Sequence, residues 1–115
     1  MPENKNELQR TILNVVKDKI ELFEFGTELP LGIIPCDASG HTPGHTVYRK
    51  GEFMIVGDLI HGLALQLVHP EYCATYDMDN EKSIKSRKKY FAVAKDNNLV
   101  IAGMHFPSPG FYEKI

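Results

Sequence analysis

His45, Asp58 and His105 are the residues whose types and placement could bind a metal ion. His45 leaves a glycine-rich loop, Asp58 ends the apolar run Val-Gly-Asp, and His105 follows the short apolar run Ala-Gly-Met. Because neighbouring strands bring their ends together, we expect these three side chains to converge at one edge of a sheet. Imidazole nitrogen and carboxylate oxygen are ligands that zinc accepts at about 2.0–2.2 Å. A structural role remains the alternative for each histidine taken alone.

A finger-like metal site is a weaker reading of the same region. Cys36, His41 and His45 could supply its ligands, with the two histidines spaced as on one helical turn. Pro43 and Gly44 lie between them and oppose a helix. For Cys36 and Cys73 we expect reduced thiols that are mostly buried. A disulfide between them, or a metal-ligand role for Cys36, stays open.

The elements predicted to position the three candidate ligands are a loop, a hairpin and a later strand. Residues 37–45 are rich in glycine and small polar residues, which is typical of a loop. Residues 46–49 and 53–56 predict a β-hairpin, whose second strand is apolar throughout and is therefore expected to be buried on both faces. Residues 99–103 predict another short buried strand. Asp58 and His105 follow these two strands.

Three further segments precede or follow this region. Residues 6–17 predict a helix capped by Asn6, with an apolar stripe along one side. Alternation at residues 20–25 predicts a strand with one buried face. Residues 31–36 predict a strand in which Pro35 belongs at an edge or end. Beyond these three, residues 71–76 predict another short strand.

A second helix is predicted from Asp79, which can cap it, to about residue 95. Asn97-Asn98 is typical of a left-handed helix stop. The basic residues of this helix are expected to face water: Lys82, Lys85, Arg87, Lys88 and Lys89. The order of helices and strands predicts an α/β (α+β) fold with helices covering one face of a sheet.

Composition excludes several functional classes. The 115 residues suit one domain, and 13 Lys+Arg against 15 Asp+Glu leave no basic excess for binding nucleic acid. No apolar run approaches the roughly 20 residues of a membrane helix, so we expect no membrane association. The polar start carries no export signal, and a cytoplasmic protein is therefore expected.

The motifs at the candidate ligands resemble a known family. The run Gly-His-Thr-Pro-Gly-His-Thr at 40–46, Gly57-Asp58 and His105-Phe106-Pro107 resemble the later metal motifs of metallo-β-lactamase-fold hydrolases. The similarity runs from about residue 20 to residue 110 and is greatest to the methyl-parathion-hydrolase and lactonase-like branch. The resemblance implies half of an αββα sandwich, with one mixed sheet and helices on one face.

The resemblance also implies roles for individual residues. His45 would bind the first metal, Asp58 would bridge two metals, and His105 would bind the second. His41, Thr42 and His61 would contact the ligand side chains and not the metal itself. Zinc is the expected metal, bound weakly and with at most one ion per chain, although iron, manganese and cobalt suit similar ligands.

One motif of the family is missing. The sequence contains no H-x-H-x-D-H run, which supplies two ligands to each metal in these hydrolases. Residues 1–115 are therefore predicted to be a single partial domain, the C-terminal half of a hydrolase of the ester, lactone or phosphotriester class. We expect it to be inactive alone, and no catalytic residue is assigned.

Half of a sandwich would leave an apolar sheet face open, so the predicted partner is a second copy of the chain or a separately encoded N-terminal half. The residues expected on that face are Ile33, Val47, Phe53, Ile55 and Ile101. Two alternatives remain. One is a non-catalytic truncated remnant that acts as a folded homo-oligomer or interaction subunit. The other is a metal or enzymatic site formed between two copies.

Overall fold

One mixed sheet of five strands organises the protein, whose computed structural model describes residues 6–113 and 115. The strands are β1 (Ile34–Asp37), β2 (Thr46–Lys50), β3 (Phe53–Gly57), β4 (Val100–Gly103) and β5 (Phe111–Tyr112). They lie side by side in chain order, and only β3 and β4 run parallel. The predicted hairpin is confirmed as β2 and β3, and the loop that carries the histidine motif connects β1 to β2.

Within the described residues three α-helices accompany the sheet: α1 (Glu7–Val16), α2 (Leu63–Val68) and α3 (Asn80–Asp96). The predicted cap of α3 is confirmed, because Asp79 Oδ1 accepts a hydrogen bond from the backbone N–H of Lys82 at 3.1 Å. Asn98 adopts a φ of 51° just after the helix, as the left-handed stop requires. The predicted class, α+β with one mixed sheet and helices, is confirmed.

The core lies between α3 and one face of the sheet. Tyr90 and Ala94 of α3 are buried in one cluster with residues of the three central strands and of the loop after β3. The strand and loop members of this cluster are Val47, Met54, Val56, Leu59, Ile60 and Ile101. This packing fixes the carboxyl end of β3, where Asp58 lies, against the first half of α3.

The prediction that β3 is buried on both faces is wrong. Met54 and Val56 are 1% exposed, whereas Phe53 is 58% and Ile55 is 49% exposed. Successive side chains of a strand point to opposite faces, and α3 covers only one of them. Phe53 and Ile55 lie on the uncovered face as predicted, but Val47 and Ile101 belong to the core, at 0% and 1% exposure.

The predicted strand at residues 20–25 is absent from the described structure, where residues 20–24 have no regular secondary structure and residue 25 lies in a turn. Just after this segment, Gly26 N–H donates a hydrogen bond to the carbonyl of Pro35 at 2.8 Å. Pro35 thus lies on an edge strand, as predicted, with its side chain buried and with no N–H to donate to a further strand. β1 itself begins at Ile34, after a 3₁₀ turn at Pro30–Gly32.

The predicted strand at residues 71–76 is also wrong. This segment forms turns, closed by hydrogen bonds from Tyr72 N–H to His69 O and from Asp77 N–H to Ala74 O. The predicted N-terminal helix is confirmed as α1, but the predicted cap is wrong, because the Asn6 side chain makes no cap hydrogen bond, and α1 buries none of its residues. Within residues 6–113 and 115, no helix combines the length and apolar character needed to span a membrane.

Candidate metal centre

The carboxylate of Asp58 lies at the centre of a group of histidines. Gly57, at a φ of 53°, turns the chain at the end of β3, and Asp58 emerges from the sheet there. Its Oδ1 is 2.9 Å from His105 Nε2, and its Oδ2 is 3.5 Å from His41 Nε2. Each carboxylate oxygen therefore faces a different imidazole. Of the three predicted ligands, the structure brings Asp58 and His105 into direct contact.

His41 is held from its other side by Asp77. The Nδ1 atom of His41 is 3.0 Å from Asp77 Oδ1, and the Asp77 side chain is fully buried. An ionised carboxylate can only accept, so Nδ1 carries the proton and donates it in the neutral ring. The Nε2 atom then presents a lone pair toward Asp58.

His45 is engaged by the backbone at both ring nitrogens. Its Nε2 accepts the backbone N–H of Asp58 at 3.0 Å, and its Nδ1 donates to the carbonyl of Ala38 at 3.2 Å. Burial is the main cause that lowers the pKa of His45, which favours this neutral ring. A Cβ at Gly57 would lie 3.0 Å from the same Nε2 atom. His45, predicted as a ligand, thus contacts the Asp58 backbone through Nε2 and the Ala38 carbonyl through Nδ1.

His61 completes the group. Its Nδ1 atom is buried and, among the described residues, has no hydrogen-bond partner. Its ring lies 5.0 Å from that of His41 and 4.9 Å from that of His105, between centroids. Burial also lowers the pKa of His61. One candidate ligand atom from each of His41, Asp58 and His61 lies within 4.8 Å of the others.

Thr42 contributes through its backbone. Its carbonyl accepts hydrogen bonds from the N–H groups of Gly40 and His45, both at 3.2 Å. These bonds close the turn that presents His41 and His45 in different directions. The Thr42 side chain is exposed.

Arg87 is buried next to the histidine group around Asp58, so the prediction that it faces water is wrong. It is 0% exposed, and its guanidinium donates to the carbonyls of Leu59, Pro70 and Tyr72 at 2.7–2.9 Å. Its Nη2 atom lies 3.4 Å from Asp77 Oδ2. Arg87 therefore ties the loop after Asp58 to the buried carboxylate that holds His41.

The residues of this group fit a zinc ion. Two ligands at about 2.1 Å from zinc, separated by a tetrahedral angle, lie about 3.4 Å apart. The Nε2 of His41 and the Oδ2 of Asp58 lie 3.5 Å apart. The buried Nδ1 of His61, which has no hydrogen-bond partner among the described residues, adds a further nitrogen donor. These three side chains offer ligand atoms within 4.8 Å of one another, a spacing that suits a metal ion.

Asp77 and Arg87 were missed by the sequence interpretation. Asp77 stands two residues before the helix cap, where an acidic residue is unremarkable. Arg87 lies among four lysines of a helix that is otherwise typical of a solvated surface. No pattern in the sequence pairs these two residues with each other or with His41.

No protein-family model and no curated protein matches the sequence. Solved structures do match. AidC, a dizinc quorum-quenching lactonase in complex with a product, aligns with a TM-score of 0.81 and 30% identity over 91% of this chain. AbOPH, a hydrolase of the β-lactamase superfamily, aligns with a TM-score of 0.78 and 32% identity over 88% of the chain.

The chain's structural neighbours are metallo-β-lactamase-superfamily hydrolases. A probable metal-dependent hydrolase from Staphylococcus aureus, at 24% identity and a TM-score of 0.66 over 77% of the chain, shows the same fold. The chain spans about a third of the length of these structures, at 37%, 36% and 33%. It has their fold over the region that aligns.

Proposed function

We propose that this chain is the metal-holding C-terminal half of a metallo-β-lactamase-fold hydrolase of the methyl-parathion-hydrolase and lactonase-like branch. The observation that carries the proposal is the Asp58 carboxylate, which faces His105 Nε2 with one oxygen and His41 Nε2 with the other. A carboxylate placed between two imidazoles suits the bridging ligand of a two-metal site. The proposed substrates are esters, lactones or phosphotriesters, and the lactonase activity printed for AidC is consistent with that class.

The proposed ligands in this half are His45, Asp58 and His105, with His41 and His61 as adjacent donors. Backbone groups contact both ring nitrogens of His45, and the Asp58 carboxylate contacts Nε2 of His105, so a zinc ion would replace the contact at Nε2 of each ring. The proposed metal is zinc, with at most one ion held by the chain alone. Zinc in such a site lowers the pKa of bound water and polarises a carbonyl or phosphoryl oxygen.

The chain's own residues prepare the site in three ways. Asp58 offers two oxygens in two directions, Asp77 fixes the ring of His41, and Arg87 fixes the loop that continues to His61. His105 is 47% exposed, so the group opens to solvent on its side. A substrate and the missing ligands could reach Asp58 from there.

The site is incomplete because the sequence has no H-x-H-x-D-H run to supply further ligands. We therefore propose weak zinc binding and no hydrolysis by the chain alone. Activity would require a separately encoded N-terminal half that carries those ligands.

Zinc affinity tests the proposed ligand set. We would titrate the chain with zinc against a competing chelator and compare Asp58→Asn with Glu71→Gln. Glu71 is a matched control, because it is an exposed carboxylate 3.1 Å from the imidazole of His69. Asp58→Asn should weaken zinc binding at least about tenfold, whereas Glu71→Gln should leave it unchanged. Equal affinities for the two variants would contradict the proposal.

Hydrolysis tests the proposed activity. The zinc-loaded chain alone should not turn over a lactone, a carboxylic ester or a phosphotriester. Addition of a polypeptide that carries the H-x-H-x-D-H half should produce metal-dependent turnover of at least one of them. Ordinary enzymatic turnover by the chain alone, or none after addition of that half, would contradict the proposal.

A non-catalytic homo-oligomer is the second candidate, and the uncovered sheet face favours it. Phe53 and Ile55 are exposed beside Leu29, Ile33 and Tyr48, in an apolar groove of about 400 Å³. Such a surface is typical of protein–protein contact. Self-association without any bound metal would support this candidate.

A further inference from the structure

The helix α1 has an apolar stripe that is left exposed in the described structure. All ten of its residues, Glu7–Val16, are exposed. Leu8, Ile12, Val15 and Val16 have the spacing of one helix face. Isolated helices shorter than about 12–15 residues are only marginally stable in water, because most helical stability in proteins comes from packing of the apolar face. α1 therefore requires a surface that covers its stripe.

The uncovered face of the sheet offers a groove of matching size. Its volume is about 400 Å³, and its apolar lining residues are Leu29, Ile33, Tyr48, Phe53 and Ile55. At a rise of about 1.5 Å per residue, the stripe from Leu8 to Val16 is about 12 Å long. At about 3.3 Å per residue, β3, which carries Phe53 and Ile55, spans about 13 Å. The stripe and the groove thus agree in apolar character and in length.

The charges beside the two surfaces are opposite in sign. The charged residues that line the groove are Arg49 and Lys50, and neither forms an ion pair within the described residues. Residues 7–28, which contain α1 and most of the segment that links it to the sheet, carry more acidic than basic side chains. These are Glu7, Asp18, Glu21, Glu24 and Glu28 against Arg10, Lys17 and Lys19. Docking of α1 would bring this acidic segment to the basic margin of the groove.

The path of the chain favours the groove of a second copy over the groove of the same chain. The ring of Phe23 contacts that of Tyr48 edge to face, at 6.4 Å between centroids, and Gly26 N–H donates to the carbonyl of Pro35 at 2.8 Å. The chain is thus tied to the margin of its own groove, while α1 before it is exposed along its whole length.

Two copies related by a twofold axis can exchange these helices, so that each contact occurs twice. A stable interface covers about 800 Å² per partner. A helix about 15 Å long and about 10 Å wide cannot provide this area alone. The reciprocal arrangement therefore suits a helix as short as α1.

We propose that α1 docks in the groove of a second copy of this chain, so that two chains exchange helices in a symmetric dimer. This inference goes beyond the proposed function and does not depend on the metal centre. It assigns the occupant of the uncovered sheet face to a particular segment, residues 7–16.

The first test compares two neighbouring residues of α1. Ile12 is 52% exposed and lies on the stripe, whereas Leu13 is 54% exposed and lies off it. Ile12→Asp and Leu13→Asp therefore make the same chemical change at equally exposed positions. In a dilution series followed by light scattering, Ile12→Asp should weaken dimerisation at least about tenfold, and Leu13→Asp should leave it unchanged. Equal effects of the two variants, or a monomeric wild-type chain, would overturn the proposal.

The second test identifies the surface that α1 contacts. A chain with Ile12→Cys is mixed with a chain that carries Ile55→Cys, and the mixture is oxidised. Peptide mapping should find a disulfide that joins residues 12 and 55 of different chains. Leu13→Cys in place of Ile12→Cys should not form the corresponding link.

Three results of these experiments would contradict the exchange of helices. One is the absence of a link from residue 12 to residue 55. Another is a link that forms only within single chains carrying both substitutions, because α1 would then cover its own groove. The third is dimerisation that is lost in Phe53→Ser/Ile55→Ser but not in Ile12→Asp, because the two sheet faces would then meet directly.

Discussion

Removal of the Arg87 guanidinium should destabilise the whole protein, although Arg87 lies on a helix rich in exposed lysines. The side chain is 0% exposed and donates to three backbone carbonyls, those of Leu59, Pro70 and Tyr72. It also pairs with the fully buried carboxylate of Asp77. Arg87→Met keeps most of the apolar stem but removes the guanidinium from all four acceptors, of which the Tyr72 carbonyl keeps a hydrogen bond from Gln66 Nε2 and Asp77 keeps its contact with His41.

The expected loss follows from these contacts. Breaking a buried ion pair by removal of one partner costs about 3–5 kcal/mol, because the remaining charge is uncompensated. A domain of this kind has an unfolding free energy of about 5–15 kcal/mol. Arg87→Met should therefore remove a large part of the stability, and urea unfolding should show a midpoint lowered by about 2 M at a slope of about 2 kcal/mol/M.

The double variant Arg87→Met/Asp77→Asn identifies the cause. Without the negative charge of Asp77, the missing guanidinium should cost less, so the two losses should fall short of additivity by at least about 1 kcal/mol. Circular dichroism in urea measures all four members of this cycle. A loss below about 1 kcal/mol for Arg87→Met alone would refute the interpretation of Arg87 as a structural donor, and full additivity would refute the ion pair.

Two other perturbations test the loop and the open face. Gly40→Ala would place a Cβ 2.3 Å from the backbone of α3, whereas Gly44→Ala, also at positive φ, meets open space. Thermal unfolding should therefore show an extra loss of stability of about 1–3 kcal/mol for Gly40→Ala, from overpacking. Equal losses for the two variants would contradict the close contact between Gly40 and α3. The wild-type chain should self-associate at micromolar concentration through its uncovered sheet face. Replacement of Phe53 and Ile55 by serine should yield a monomer in light scattering. A monomeric wild-type chain would contradict the prediction that this face mediates self-association.

The sequence predicted correctly those helices and strands whose ends are marked by local residues, such as a helix cap or a turn. The hairpin follows from two apolar segments and a short turn, and α3 follows from the Asp79 cap and the left-handed Asn98. The positions of Asp58 and His105 at strand ends follow from the same elements. Their contact at 2.9 Å is therefore the part of the site that the sequence predicted.

Predictions that depended on distant partners failed. The alternating segment at residues 20–25 has the pattern of a strand, but Pro35 offers it no N–H at the edge of the sheet. Arg87 lies among lysines in the sequence, which is typical of an exposed residue. It is buried because the segment that contains Pro70, Tyr72 and Asp77 packs against it. Such contacts arise from tertiary packing and leave no periodic signal.

The choice between His41 and His45 also depended on tertiary contacts. Both histidines lie in one glycine-rich loop, and their types and spacing do not tell which ring faces Asp58. The turn closed by the Thr42 carbonyl places the two rings edge to face, 5.7 Å apart between centroids, and the carbonyl of Ala38 takes one nitrogen of His45. Asp77 takes the corresponding nitrogen of His41 and leaves the other toward Asp58.

The most direct test of the proposed metal centre is a zinc titration followed by NMR of the histidine side chains. On addition of one equivalent of zinc, the ring nitrogens of His45 and His105 should shift, whereas the exposed His69 should keep its metal-free signal. Shifts confined to His69, or no saturable shift at His45, would contradict the account.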